Sequence, residues 1–348
     1  MMKLQEWVPK LKGKKILLLG DMVADVYVKG HISRVSREAP VLVLEHRGET
    51  IVPGGAANAV HNAAVLGGVV YAVGICGEDK TGEKLKELLQ SKGVVVDGLF
   101  QDAKRPTITK TRILAGGQAT VRQQVVRIDQ ESKEPLVKET EEALLHYIEK
   151  ALPKMDVAVI SDYGSQTVSP KLRQRLIALC REQGVPCMVD SRYAIQQFTG
   201  VELIKQNAAE AAAALGLESL DEIGAAKAAE QIVEMLQADG ILLTQGGDGM
   251  TLYVRGQGAK HIPVSNRSEV YDVTGAGDTA VVTMMLALAA GADHYSAAKL
   301  ANYAAGVVVR KHGTATLTAE ELLQAVKQGE LAAKKQKEER NKLGAEEV

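Results

Sequence analysis

Short apolar runs ending in glycine or an acid recur along the chain, and each reads as a buried strand whose C-terminal end opens into a loop. The first is Lys15-Ile16-Leu17-Leu18-Leu19-Gly20-Asp21, and others cover 69–75, 157–161, 185–190, 201–204 and 240–244. Segments of helical character, 81–92, 169–183 and 220–238, lie between most of them. Strands alternating with helices predict an α/β fold, a doubly wound, mainly parallel sheet whose ligands gather at the carboxyl ends of the strands.

Two segments break this rhythm. Residues 27–52 and 105–129 are rich in β-branched and alternating positions, as in Val41-Leu42-Val43-Leu44 and Thr107-Ile108-Thr109-Lys110. They predict a small antiparallel sheet, either a lid over a cleft or an extra edge of the main sheet. One large domain is expected over 14–325, and the Lys/Glu-rich residues 326–348 read as a solvated, frayed helical tail.

Composition narrows the partners. The 348 residues carry 42 Lys+Arg against 43 Asp+Glu, a net charge of −1, so nothing advertises nucleic acid or an anionic membrane, and a small molecule is the expected partner. Cys76, Cys180 and Cys187 form no Cys-x-x-Cys pair and no His-Glu-x-x-His occurs, which argues against a disulfide framework or a zinc site and fits a reducing cytoplasm. The longest apolar and small run, around 280–292, is too short to cross a bilayer. With aromatics at 3% and 33 glycines, the core must be aliphatic and the turns tight.

The chemistry concentrates in Asp272-Val273-Thr274-Gly275-Ala276-Gly277-Asp278-Thr279, which leads into a helical run from Ala280. Glycines at a loop-to-helix junction can aim backbone N–H groups at an anion on the positive end of the helix dipole. A dinucleotide fingerprint is the competing reading, but no strand feeds the loop directly, and Asp278 inside it would repel a stationary pyrophosphate. Moving a phosphoryl group onto a hydroxyl needs a proton acceptor beside anion donors, and Asp278 beside Gly275, Ala276 and Gly277 supplies both. A plain glycine-rich helix start with an acidic first turn is the bland alternative. A second glycine site, Pro53-Gly54-Gly55-Ala56-Ala57-Asn58, also precedes a helix; it reads as close ligand approach with Asn58 on sugar hydroxyls, or simply as tight helix-sheet packing. Thr244-Gln245-Gly246-Gly247-Asp248-Gly249 reads on its own as a hairpin, and there is no P-loop.

Taken in this order, the motifs resemble the ribokinase-like, or PfkB, family of sugar kinases over roughly 14–325. Within it the chain is most similar to domains that phosphorylate D-glycero-D-manno-heptose 7-phosphate, through Gly20-Asp21 with Asp25, Ser33 to Val41, Pro53 to Asn58, Pro106 to Lys110, Ser161-Asp162-Tyr163 and Tyr271 to Thr279. The resemblance implies ATP and Mg²⁺ as cofactors, with Asp278 the base and the Gly275-Ala276-Gly277 amides the anion hole. Asp25, Gly54, Gly55, Asn58, Lys110, Arg127 and Asp162 fall to the sugar phosphate. Thr244, Gly246, Gly249, Asn302 and Gly306 fall to the nucleotide, and Asn207 with Glu210 to Mg²⁺ through waters. Asp272, Thr274 and Gly313 resemble a monovalent cation site, which makes K⁺ a further expectation. A homodimer through the lid strands is also implied. Arg34, Arg37, Arg112 and Arg122 are further cations on or near the lid segments.

The likeness fails at four places. Ser165 stands where the pattern has lysine, Asp190-Ser191-Arg192 replaces Asp-Pro-Lys, Lys205-Gln206 replaces Thr-Pro, and the lid has extra residues around 116–122. These leave open a kinase for another sugar or sugar phosphate. A sensor that has kept the fold without turnover is the third reading.

Overall fold

The computed structural model describes residues 2–116, 123–265 and 270–346. The first half of the chain runs β1 (Lys15–Gly20), β2 (Met22–Val35), β3 (Leu42–Gly55), α1 (Ala56–Val65), β4 (Val69–Gly77), α2 (Lys80–Ser91), β5 (Val95–Asp102), β6 (Ile108–Gly116), β7 (Gln123–Gln130) and α3 (Lys138–Ala151). The second half runs β8 (Val157–Asp162), α4 (Pro170–Gln183), β9 (Cys187–Ser191), β10 (Leu203–Asn207), α5 (Ala208–Ala214), α6 (Ala225–Leu236), β11 (Gly240–Thr244), β12 (Met250–Val254), β13 (Gly258–Ile262), α7 (Ala276–Ala289), α8 (His294–Val308) and α9 (Ala319–Glu346).

The main sheet has the order β13-β12-β11-β10-β9-β8-β1-β4-β5 and is parallel except for the β11-β12-β13 meander. Ile16 to Leu19 of the inner strand β1 are all fully buried. Because successive side chains alternate, Ile16 and Leu18 join the core beneath α1, α7 and α8, whereas Leu17 and Leu19 join the one beneath α3, α4 and α6. A strand covered on both faces shows no polar alternation, which is why these runs read as continuously apolar.

Residues 22–55 and 108–130 form a second, separate sheet, in the order β3-β2-β6-β7. That decides between the two readings of these segments in favour of a lid. The sheet is not wholly antiparallel as the sequence predicts, however: of its three strand pairs, β2 and β6 run parallel. The inner half of β2, Met22 to Val26, is buried, while the far end exposes Val35, Leu42, Val125, Val126 and Ile128. β3 runs on to Gly55, so this sheet delivers the chain straight into α1.

Several boundaries differ from the sequence pattern for local reasons. β10 extends to Asn207 because Lys205 and Gln206 are buried polar residues inside the strand, which hides it from a hydrophobicity pattern. The 220–238 segment is broken at Gly224, whose φ of +80° ends a short turn before α6. Gly275, also at φ +80°, starts α7 early, so Asp278 lies in the helix's first turn and not in the loop before it. β5 and β13 carry too few regularly spaced apolar positions to stand out, whereas β12 completes the hairpin read at 244–249. Helix α9 crosses residue 325 without a break; Leu322 and Val326 are fully buried, so the tail boundary set at 326 cuts a docked helix. Among the described residues no helix is long and apolar enough to cross a membrane.

Candidate active site

Asp278 is only 6% exposed, and the arrangement around it is set by the first turns of α1 and α7, which pack on each other. Asn58 of α1 donates from Nδ2 to Asp278 Oδ2 at 2.8 Å, and Tyr163, just beyond β8, donates its hydroxyl to Oδ1 at 2.8 Å. Asn58 Oδ1 is engaged by Asn62 Nδ2 at 3.1 Å, and Asn62 Oδ1 accepts from Thr279 Oγ1 at 3.1 Å. This chain leaves the Asn58 amide one sensible orientation, with its N–H pointing at the carboxylate. Burial lifts the Asp278 pKa to about 6 against the donation from Asn58, with the nearby Asp190 charge adding to the rise and Tyr163 and Lys205 opposing it. Burial likewise raises Tyr163 well above the usual phenol range, so its hydroxyl stays a donor.

A cavity of about 610 Å³ opens above Asp278. Its floor is made by the carboxyl ends of β8, β9 and β10, through Asp162, Asp190, Lys205 and Asn207, and by Gly275 and Gly277 at the start of α7. Its roof comes from the small sheet: Asp25 on β2, Lys110 and Arg112 on β6, Arg127 on β7. Asp25, 3% exposed, receives Arg112 at 2.6 Å, and the guanidinium also lies 5.4 Å from the centre of the Tyr27 ring. Lys110 sits 5.4 Å over the Tyr163 ring, with burial lowering its pKa. Arg127 pairs with Asp129 on the exposed side of β7. Asp162 accepts from Ser191 Oγ at 2.7 Å and from the Gly164 amide at 3.0 Å, and burial raises its pKa.

The remaining sequence candidates fall into three groups. Asn207 and Glu210 both line the cavity and cap α5 reciprocally, the Glu210 N–H to Asn207 Oδ1 and the Asn207 N–H to Glu210 Oε2, each 2.8 Å. Burial raises the Glu210 pKa, opposed by Lys205. No group of three or more His, Cys, Asp or Glu able to hold a metal exists among the described residues. A pair of oxygen donors fits a Mg²⁺ ion that keeps waters and phosphate oxygens as its other ligands. Thr244 ends β11 directly beside Asn207, and Gly246 and Gly249 form the tight β11–β12 hairpin turn, where a side chain at 249 would collide with the Ile262 carbonyl. Asn302 donates to the Pro263 carbonyl at 2.8 Å, and Gly306 lines a separate cavity of about 210 Å³ with Ser265 and Tyr303. Asp272 accepts from the Thr274 amide at 2.9 Å and the Gly313 amide at 3.0 Å, tying two loops together.

Some assignments change. Asn58 is fully buried behind Asp278 and does not line the cavity, so its partner here is the carboxylate. Gly54 does not line the cavity either, and a Cβ there would lie 2.6 Å from Asp25 Oδ2, so the close approach of the backbone to Asp25 excludes a side chain. The Ala276 N–H is taken by the Val273 carbonyl at 3.2 Å, which leaves the Gly275 and Gly277 amides for an anion. Arg34 and Arg37 are exposed and lie outside the cavity; Arg122 falls outside the described residues. Four participants carried no functional signal alone: Asn62, Tyr163, Asp190 and Lys205. Tyr163, Asp190 and Lys205 entered the sequence reading only as part of a motif or as departures from it, with no role; Asn62 was not singled out, and its place four residues after Asn58 on one helix face is the signal that could have found it.

Comparison with known proteins places this geometry. The chain belongs to the pfkB family of carbohydrate kinases, whose family model matches residues 14–321. Membership makes it a phosphotransferase acting on a sugar alcohol group. It is 38% identical over 309 residues to the "Bifunctional protein HldE" of Desulfatibacillum aliphaticivorans, covering 88% of this chain and 62% of that one. The protein of the same name from Azorhizobium caulinodans is 40% identical over 313 residues, with 89% and 64% covered. The chain thus spans somewhat under two thirds of these relatives. Among solved structures, the fold aligns with phosphofructokinase-2 from Escherichia coli in complex with potassium at a TM-score of 0.71, with 21% identity over 91% of this chain and 99% of that one. The Arabidopsis thaliana ribokinase complexed with ribose and ATP aligns at 0.67, with 18% identity over the same shares.

Proposed function

We propose that this chain transfers the γ-phosphoryl group of ATP to a hydroxyl of a sugar phosphate, and that the sugar is D-glycero-D-manno-heptose 7-phosphate, converted to the 1,7-bisphosphate. The carrying observation is Asp278: a buried carboxylate with a pKa of about 6, fixed in the first turn of α7 beside the Gly275 and Gly277 amides. Asp278 takes the proton of the attacking hydroxyl, and the amides face the charge that grows on the phosphoryl oxygens. Asn207 and Glu210 would hold a Mg²⁺ ion through its waters, and that ion would supply charge neutralisation for the ATP phosphates. Asp25 and Asp162 hold sugar hydroxyls, and Thr244, Gly246, Gly249, Asn302 and Gly306 hold the nucleotide.

Support for a phosphorylated sugar comes from the roof, where Lys110, Arg112 and Arg127 converge with Arg192 over the cavity. The heptose in particular is favoured by the 36–40% identity to HldE proteins along nearly the whole chain. K⁺ activation is part of the proposal, supported by the Asp272, Thr274 and Gly313 loop, as is a homodimer through the lid, supported by the exposed Val35, Leu42, Val126 and Ile128. Unpaired Cys76, Cys180 and Cys187 suit a cytoplasmic setting.

The test is ADP release with Mg²⁺, K⁺ and ATP against D-glycero-D-manno-heptose 7-phosphate, sedoheptulose 7-phosphate, fructose 6-phosphate, fructose and ribose. The aldoheptose phosphate is expected to give the highest kcat/KM by a wide margin. A different winner removes the heptose assignment, and silence on every sugar removes all five as substrates and favours a sensor that has kept the fold.

A further inference from the structure

A lysine and an aspartate are buried together in the cavity floor, where neither the local fold nor the reading above requires a charge. Lys205 Nζ lies 3.1 Å and 3.3 Å from the two Asp190 oxygens, and the side chains are 7% and 14% exposed. Among the described residues lining the cavity, Lys205 is the only buried cation; Lys110, Arg112, Arg127, Lys133 and Arg192 lie on the roof or rim. Buried ion pairs are poor stabilisers, because desolvation offsets most of their attraction and apolar pairs of similar volume do as well. Stability therefore does not explain this one.

Its position does. A Cβ on Gly277 would come within 2.8 Å of Lys205 Nζ, so the ammonium abuts the backbone at the point where α7 presents its N-terminal amides. Glu210 and Asp278 are its next charged neighbours after Asp190. The ammonium thus lines the same cavity as the Asp278 carboxylate and the Asn207–Glu210 pair, against the backbone of Gly277 where the phosphoryl group of the proposed reaction passes. We propose that Lys205 is a catalytic residue that contacts the phosphoryl group in flight, and that Asp190 is a positioning residue that holds the ammonium at the phosphoryl path. In the step itself, the bond from the γ-phosphorus to the bridging oxygen breaks with its electron pair leaving on ADP. The bond from the sugar oxygen to phosphorus forms, and the hydroxyl proton goes to Asp278. Lys205 exchanges no proton and contributes charge to the equatorial oxygens.

The inference rests on phosphoryl transfer at this site, so its test separates the two. Lys205→Met alone strands the Asp190 carboxylate and can misfold; the double variant Asp190→Asn/Lys205→Met removes both charges and keeps the volume. Two quantities are measured on wild type and double variant: kcat with KM for the heptose phosphate, and the affinity for Mg·ADP with and without aluminium fluoride, a mimic of the phosphoryl group in flight. The double variant is expected to lose roughly 10²–10³ in kcat with KM values within threefold, and to lose most of the tightening that fluoride brings. Asp190→Asn alone is expected to lose less than the double variant. Fluoride tightening equal in both proteins, or a double variant within threefold of wild-type kcat, overturns the inference while leaving the kinase reading standing. Absence of any fluoride tightening in the wild type overturns both.

Discussion

Asn58 on α1 and Asp278 on α7 are 220 residues apart in sequence and share a 2.8 Å hydrogen bond at the bottom of the cavity. The bond fixes the carboxylate's direction, and Asn62 behind it fixes the amide. A base held this way needs no rearrangement when the hydroxyl arrives, which is the geometric requirement for general base catalysis. Asp278→Asn is accordingly expected to lower kcat by roughly 10²–10⁴ while sugar and nucleotide affinities, read by calorimetry, stay within a few-fold. Turnover near the wild-type rate would remove Asp278 from the proton transfer.

The pKa of about 6 sets the acid side of the pH profile. Only the ionised carboxylate accepts a proton, so kcat/KM should fall about tenfold per pH unit below pH 6, well above the 3.8 of an ordinary aspartate. Tyr163 donates to the charged form and so lowers this pKa; Tyr163→Phe removes that donation, and the acid limb should move to higher pH. Titration of the substrate's own phosphate contributes to both profiles equally, so the difference between the two proteins isolates Asp278. A limb that stays in place or moves down contradicts the assignment.

The two arginine pairs of the roof should behave differently. Arg112 reaches Asp25 at 2.6 Å with side chains 16% and 4% exposed, whereas the Arg127–Asp129 pair is 46% and 39% exposed and screened by solvent. Arg112→Ala removes a cation beside the sugar and leaves Asp25 buried without its partner, so KM for the sugar phosphate should rise by roughly 10-fold or more and KM for ATP should hold. Arg127→Ala is expected to change the same KM by only about threefold. Initial-rate measurements in both substrates decide it, and the reverse order would place the distal phosphate on β7.

Helix α9 contributes to the fold well past the end of the family match at 321. Val326 is fully buried, and Gly329 packs so closely on Tyr303 that a Cβ would collide with the phenol oxygen. Ending the chain after Ala325 exposes this seam and should cost about 1.5–3 kcal/mol for Val326 alone, with a lower Tm by calorimetry. Ending it after Leu331 should leave Tm within a degree or two of the full chain.

Much of the molecule could be read before folding. The central strand β1, the glycine-led starts of α1 and α7, and the pairing of Asp278 with its amides are local patterns: an apolar run, a glycine that permits φ of +80°, an acid one turn into a helix. These depend on residues near each other in sequence, and local backbone physics is enough to predict them. Even the small sheet was legible, from β-branched alternation, though its parallel β2–β6 pairing was not.

What the sequence could not disclose is which polar groups meet. Asn58 looked like a sugar ligand because an amide can donate and accept anywhere; only the approach of α1 to α7 turned it toward Asp278. Lys205 stood out in the sequence only as a departure from Thr-Pro, with no role attached; its burial became visible once β9 brought Asp190 alongside. The same holds for the pKa of Asp278, since desolvation and neighbouring charges are sums over space and have no period along the chain. Sequence by itself determined most of the elements and pointed to Asp278 as the proposed base; the tertiary structure alone decided the network that aims and tunes it, because burial and charge act through distances that the order of residues does not contain.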